Sequence, residues 1–261
     1  MSLTPNFLAV YCLVSDALVV GLLLYGLMLA LRRTSLPAPS RMRIGVGITV
    51  VLLAWNGLAF FLATHGVFEA KRVPFRLRHI APGRIPATIF GMFPPILFAV
   101  LVPIAIGLWL MIRSKTMARI VDATPLSWLI GVQVYRVIGV LFPIVWCAGQ
   151  LPWQFALPAG IGDILVGILA VPTAWAAGKG SAWRIKAAYS WNLFGLFDFV
   201  IALGTGFLTS PTPFQLMAFN HPNLLATRFP MAMIPAFMVP LSSIMHGICL
   251  WKLRRMAKNS I

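Results

Sequence analysis

The stretch NFLAVYCLVSDALVVGLLLYGLMLAL, residues 6–31, decides the fold class of this chain. Asp16 is the one charged residue within it. A helix needs about 20 consecutive apolar residues to cross a hydrocarbon core of about 30 Å, and this stretch exceeds that length. The sequence therefore predicts a transmembrane helix at residues 6–31.

Further apolar runs of similar length follow along the chain, at 44–64, 87–112, 128–148, 157–177, 187–208 and 230–252. Hydrophobic residues make up 60% of the chain and charged residues only 10%, and the mean hydropathy is +0.90. Soluble globular domains are much less apolar and carry more charge. We predict an all-α integral membrane protein of about seven transmembrane helices, which form a single polytopic membrane domain over residues 1–261.

The chain is strongly basic, with 21 Lys and Arg against 5 Asp and Glu and a formal net charge of +16. The positive residues cluster in short segments between the apolar runs. This pattern follows the positive-inside rule and argues for topology and against nucleic-acid binding. An N-terminus outside and a C-terminus inside place most of these residues in the cytoplasm. The basic segment 71–84 is the exception, because it would then lie outside.

The sequence contains few signs of enzyme chemistry. Cys12, Cys147 and Cys249 stand alone in apolar runs, without the spacing of a metal or redox site. The HExxH, GxSxG and Walker A motifs are absent from the sequence. We therefore predict no catalytic residues and no metal ligands, the sequence identifies no cofactor, and the balance is against an enzyme.

Two blocks of the sequence resemble each other. Asp16 begins an Asp-x-Leu-Val motif in the first run and Asp163 begins another in the fifth, while Trp55-Asn56 in the second run matches Trp191-Asn192 in the sixth. A duplication would give repeat halves at 1–112 and 155–253, joined by a linker helix at 128–148. Three helices, one linker helix and three more helices form a parallel repeat. The alternative is coincidence in an apolar alphabet.

This topology resembles the SWEET sugar transporters and the nicotinamide riboside carriers, which implies a substrate site between the two halves. A second resemblance is local. Gln133 and Arg136, followed by the run LPWQFALPAGIGDILVG at 151–167, are similar to a segment of uncharacterised bacterial multi-pass membrane proteins. That resemblance implies a bacterial cytoplasmic (inner) membrane and brings no known activity.

Ionisable residues inside a membrane cost at least about 2.5 kcal/mol each and are therefore candidates for function. We predict that a ligand contacts Arg136, Gln133, Asp163, Asp198, Asn56, Asn192, Trp55 and Trp191. We predict that protons are coupled through Asp16 and His246. The structural alternatives are a buried ion pair that only fixes helix packing, a neutral Asp bonded to its own helix and a satisfied core histidine.

Arg136 must find a partner inside the bundle, because a guanidinium does not lose its charge. We expect the partner to be Asp163 rather than Asp198, since consecutive helices joined by a short loop are normally neighbours. A second expectation concerns the face of this helix. Residues with a spacing of three or four should share one stripe, namely Gln133, Arg136, Val140, Pro143 and Cys147.

These observations favour a membrane protein that binds a small polar or anionic molecule between two three-helix halves. We expect a small-solute or proton-coupled transporter. The alternative is a non-catalytic accessory subunit or sensor of a larger membrane complex. The expected partners are membrane lipid, the small-molecule ligand and either a second copy of the chain or the subunits of such a complex.

Overall fold

The computed structural model describes residues 3–70, 93–179 and 182–259. Within these ranges the chain is helical and contains no strand. Seven helices there are long and apolar enough to cross a membrane. They are α1 (Pro5–Arg32), α2 (Ala38–Thr64), α3 (Pro95–Arg113), α4 (Leu126–Cys147), α5 (Trp153–Ala177), α6 (Ala182–Thr209) and α7 (Ile234–Lys258). The predicted set of seven helices in a multi-pass membrane protein is confirmed.

Proline sets the start of several helices. Thr4 caps α1, where its hydroxyl accepts a hydrogen bond from the Phe7 amide at 3.2 Å and Pro5 follows as the first helical residue. Proline suits this position because its fixed φ is helical and its missing N–H would have no partner there. Pro94 and Pro95 begin α3 in the same way, which moves its start eight residues beyond the predicted residue 87.

The middle of α4 departs from α-helical geometry. Residues Val132–Val140 form a 3₁₀ helix between two α-helical ends. A 3₁₀ helix has three residues per turn, so Gln133, Arg136 and Gly139 lie on one buried edge. The predicted stripe was therefore wrong for Val140 and Cys147, whereas Pro143 does pack inside the bundle. Val140 is 39% exposed and Cys147 is also exposed, because the tighter winding turns them away from the bundle.

The helices α4 to α7 form the inner part of the bundle. Helix α5 packs along both α4 and α6, and α7 packs against α3 and α6. Small residues allow the close approach of α5, since Gly160 faces the ring of Pro143 and Gly167 faces the backbone of Val137. Few side chains of α2 and α3 are buried, so most of their surface is apolar and exposed, as expected for helices that face lipid.

A short amphipathic helix, Lys115–Ala123, lies between α3 and α4. Its C-terminal carbonyl groups have no partner within the helix, and the ammonium group of Lys252 in α7 satisfies them. This buried lysine donates to the backbone oxygens of Val121, Asp122 and Thr124. The contact fixes the short helix to the end of α7.

Two predictions about topology stay predictions. The arrangement of the helices determines neither the orientation of the termini in the membrane nor the parallel repeat. The basic segment 71–84 lies outside the described residues.

Candidate functional site

Arg136 lies at the centre of a buried ion-pair cluster. Its Nε donates a hydrogen bond to Oδ1 of Asp163 at 2.7 Å, and its Nη2 donates to Asp198. The side chains of Arg136, Asp163 and Asp198 are 2%, 16% and 4% exposed. The ring of Phe199 covers the guanidinium, with Cζ 3.9 Å from the ring centroid. The predicted pairing with Asp163 is confirmed, and Asp198 is a second partner.

The hydrogen bonds of His246 define its protonation state. Nη1 of Arg136 lies 3.2 Å from its Nε2, and Oδ1 of Asn192 lies 2.9 Å from its Nδ1. A guanidinium can only donate, so Nε2 must accept and the proton must be on Nδ1, which donates to the amide oxygen. His246 is therefore a neutral imidazole, and it can gain a proton on Nε2 only by losing its contact with Arg136.

Glycines allow the helices to close around these groups. A Cβ added to any of three glycines would overlap a polar side chain of the next helix. The facing pairs are Gly139 with Asp163, Gly162 with Asp198, and Gly195 with His246. Each group is thus held against bare backbone. Sequence analysis missed these glycines, although their occurrence in three successive apolar runs was visible.

The cluster contains more acidic than basic side chains. In the described part of the chain, one guanidinium and one neutral imidazole face two carboxylates, Asp163 and Asp198. Two ionised carboxylates and one Arg leave a net charge of −1 in a low-dielectric interior, where an uncompensated charge is expensive. One proton or one monovalent cation would balance the site.

An apolar cavity of about 80 Å³ lies among α3 to α7 and reaches this cluster. Its walls include Leu97, Val100, Phe142, Phe155, Phe199 and Phe207. Asp163 is its only charged lining residue within the described ranges. A smaller void of about 30 Å³ shares Asp163, Phe142 and Phe199 with this cavity and extends to Arg136. The carboxylate of Asp163 therefore stands between an apolar chamber and the buried arginine.

Two other predicted residues, Gln133 and Trp191, lie around the cluster. Gln133 donates through Nε2 to the carbonyl of Ser242 at 3.2 Å, while its Oε1 is buried without a hydrogen-bond partner among the described residues. Trp191 donates to the carbonyl of Val166 at 3.0 Å, and its ring centroid lies 5.0 Å from that of His246. These contacts join α4 to α7 and α5 to α6, so they support the shape of the site.

The remaining predicted residues lie on α1 and α2, apart from this cluster, and are Asp16, Trp55 and Asn56. Asn56 donates through Nδ2 to both carboxylate oxygens of Asp16, at 3.0 and 2.8 Å. Trp55 packs against Phe237 of α7, with ring centroids 4.8 Å apart. Asn56 bonds the acid of its own half, whereas Asn192 in the sixth helix bonds His246. The structure thus divides the predicted site residues into a cluster on α4 to α7 and a pair on α1 and α2.

No group of three or more His, Cys, Asp or Glu side chains in the described ranges has the geometry of a metal site. The chemistry of the cluster is that of ion pairing and hydrogen bonding between ionisable groups.

These features define a multi-pass helical membrane protein with a buried ion-pair cluster beside an apolar cavity. The chain belongs to the family described as "Domain of unknown function (DUF8737)", whose model matches residues 93–254. The match covers α3 to α7 and therefore includes every side chain of the cluster. Comparisons with curated proteins and with solved structures found no match.

Proposed function

We propose that this protein is a membrane carrier that exchanges a small hydrophobic cation for a proton at Asp163. The observation that carries the proposal is the position of this carboxylate, which pairs with Arg136 on one side and lines an apolar cavity on the other. The cluster has two carboxyl groups for one guanidinium, which leaves one carboxyl group free to hold either a proton or a monovalent cation, so the two would compete for it.

The cavity favours a cation with an apolar body. Its walls are mostly hydrophobic, and the aromatic rings of Phe142, Phe155, Phe199 and Phe207 surround the approach to Asp163. Aromatic faces attract a desolvated cation by about 2 kcal/mol or more, and a buried carboxylate adds a direct ion pair. The polar or anionic ligand favoured by sequence analysis would need to displace a carboxylate from Arg136, which is already paired twice.

A cation and a proton would be exchanged because both bind the same carboxylate, that of Asp163. When the cation pairs with Asp163 no proton is needed, and when the cation leaves, a proton can neutralise the same carboxylate. Asp198 and His246 keep Arg136 in place during this change, because both contact other nitrogens of its guanidinium.

Tetramethylammonium is a suitable probe, because it is a permanent cation, cannot itself carry a proton and has a compact body that suits a cavity of about 80 Å³. Equilibrium dialysis with the purified protein should show saturable binding. Proteoliposomes with an acidic interior should accumulate the radiolabelled probe against an alkaline exterior. Asp163→Asn should weaken binding at least about tenfold, since it removes the counter-charge, while Asp122→Asn at an exposed ion pair should change nothing.

Two analogues separate the alternatives. tert-Butanol has a similar compact shape to the probe without its charge, and pivalate reverses the charge. Tighter binding of pivalate, or equal binding of the neutral analogue, would refute the cation assignment. Cation binding without uptake in proteoliposomes would instead support the sensor or accessory-subunit alternative.

A further inference from the structure

A groove on the outside of the bundle lies between α1 and α2, away from the ion-pair cluster. It has a volume of about 650 Å³, and its walls are mainly apolar, with Leu24, Met28, Val46 and Val50 among them. Arg32, at the end of α1, and Arg41, near the start of α2, lie at one end. The groove therefore has an apolar length and a cationic end.

The dimensions of the groove match one leaflet of a bilayer. Its lining on α1 extends from Gly21 to Arg32, which corresponds to roughly 16 Å at 1.5 Å per residue. Half of a hydrocarbon core is about 15 Å thick. The two guanidinium groups would thus lie at the depth of lipid headgroups when the apolar length lies beside the acyl chains.

The end of the groove complements a phosphate. Two arginines from consecutive helices line the groove there, and none of its lining residues in the described part of the chain is acidic. A guanidinium binds phosphate oxygens bidentately, and the compensating negative charge must then come from outside this part of the chain. A zwitterionic headgroup brings its own cation, whereas an anionic headgroup supplies the missing charge.

We infer that the groove between α1 and α2 is a binding site for one anionic glycerophospholipid. Its acyl chain lies along the apolar length, and its phosphate binds Arg32 and Arg41. The inference is independent of the carrier function, because the groove shares no lining residue with the cavity that reaches Asp163.

Native mass spectrometry of the delipidated protein in detergent can measure lipid binding at this groove. Titration with phosphatidylglycerol and phosphatidylcholine should show a first lipid that binds about tenfold more tightly when its headgroup is anionic. Arg32→Gln with Arg41→Gln should remove this preference. The matched control, Arg43→Gln with Arg113→Gln, removes two exposed charges outside the groove and should keep it.

A second variant blocks the apolar length without changing charge. Gly21 lines the groove, and nothing lies within 4 Å of the position that its Cβ would take, so Gly21→Phe should fill the groove and leave the fold intact. It should weaken binding of both lipids about tenfold or more. Gly47 has equal space around it but does not line the groove, so Gly47→Phe is the control.

Four results would overturn the inference. The first is equal affinity for the two lipids in the unmodified protein, and the second is a preference that survives the double arginine variant. The third is displacement of phosphatidylglycerol by millimolar inorganic phosphate, because this would assign the arginines to a free anion. Full lipid binding by Gly21→Phe would likewise contradict the assignment of the acyl chain to the groove.

Discussion

Replacing Arg136 by Met tests the energetics of the cluster most directly. Removal of one partner from a buried ion pair typically costs about 3 to 5 kcal/mol, because it leaves an uncompensated charge. Arg136 holds two carboxylates, and Asp198 is 4% exposed against 16% for Asp163. Asp163 can gain water from the cavity, so most of the loss should come from Asp198. We expect unfolding to become roughly 100-fold or more favourable.

Neutralising the stranded acids should restore stability in a defined order. Arg136→Met with Asp198→Asn should recover more than Arg136→Met with Asp163→Asn, and the triple variant should recover most. Asparagine keeps the shape of each carboxylate, which the facing glycines require. The free energy of unfolding can be measured by adding sodium dodecyl sulfate to dodecylmaltoside micelles and recording far-UV circular dichroism.

The control is Arg255→Met, which breaks an exposed pair with Asp122 whose side chains are 39% and 45% exposed. Its cost should stay below about 1 kcal/mol. An Arg136→Met variant that loses no more stability than this control would refute the reasoning. So would a triple variant no more stable than the single one, because the loss would then not arise from stranded carboxylates.

Three further predictions concern packing, docking and orientation. Gly162→Ala should strongly destabilise the protein, because its Cβ would overlap the acid on α6, whereas Gly204→Ala meets open space and should be tolerated; thermal unfolding compares them. Lys252→Met should expose the carbonyls at the end of the short amphipathic helix and raise hydrogen exchange in that helix alone. In a cysteine-free background and intact cells, an impermeant maleimide should label Asn220→Cys and miss Lys179→Cys, and the opposite pattern would reverse the predicted topology.

The sequence predicted the fold well where hydrophobic length alone decides the outcome. Apolar runs must be helices in a bilayer, because their backbone groups have no other partner there. The pairing of Arg136 with Asp163 was predictable for a related reason, since a buried guanidinium needs a counter-charge and consecutive helices are neighbours. Both conclusions follow from the high cost of a polar or charged group without a partner in an apolar environment, which few arrangements of the chain avoid.

The rest of the site depends on helix rotation, which the sequence constrains weakly. An all-α-helical spacing placed Val140 and Cys147 beside Arg136, but the 3₁₀ winding of α4 turns them outward. Trp55 and Asn56 were assigned to a common site with Trp191 and Asn192, yet contacts between helices separate them. Such contacts involve distant residues, and a single sequence does not show which faces meet.

The two acids of the cluster are chemically similar but lie in different surroundings, and this difference suits them to different roles. Asp198 is almost fully enclosed and faces the bare backbone of Gly162, so it is suited to hold the guanidinium permanently. Asp163 uses one oxygen for Arg136 and lines the cavity, so in the proposed carrier it is the acid that an entering proton or cation would meet first. One carboxylate is enough to pair with Arg136, so the second acid is open to a proton or a cation. The asymmetry therefore favours exchange at Asp163, with Asp198 and His246 as the fixed partners of Arg136.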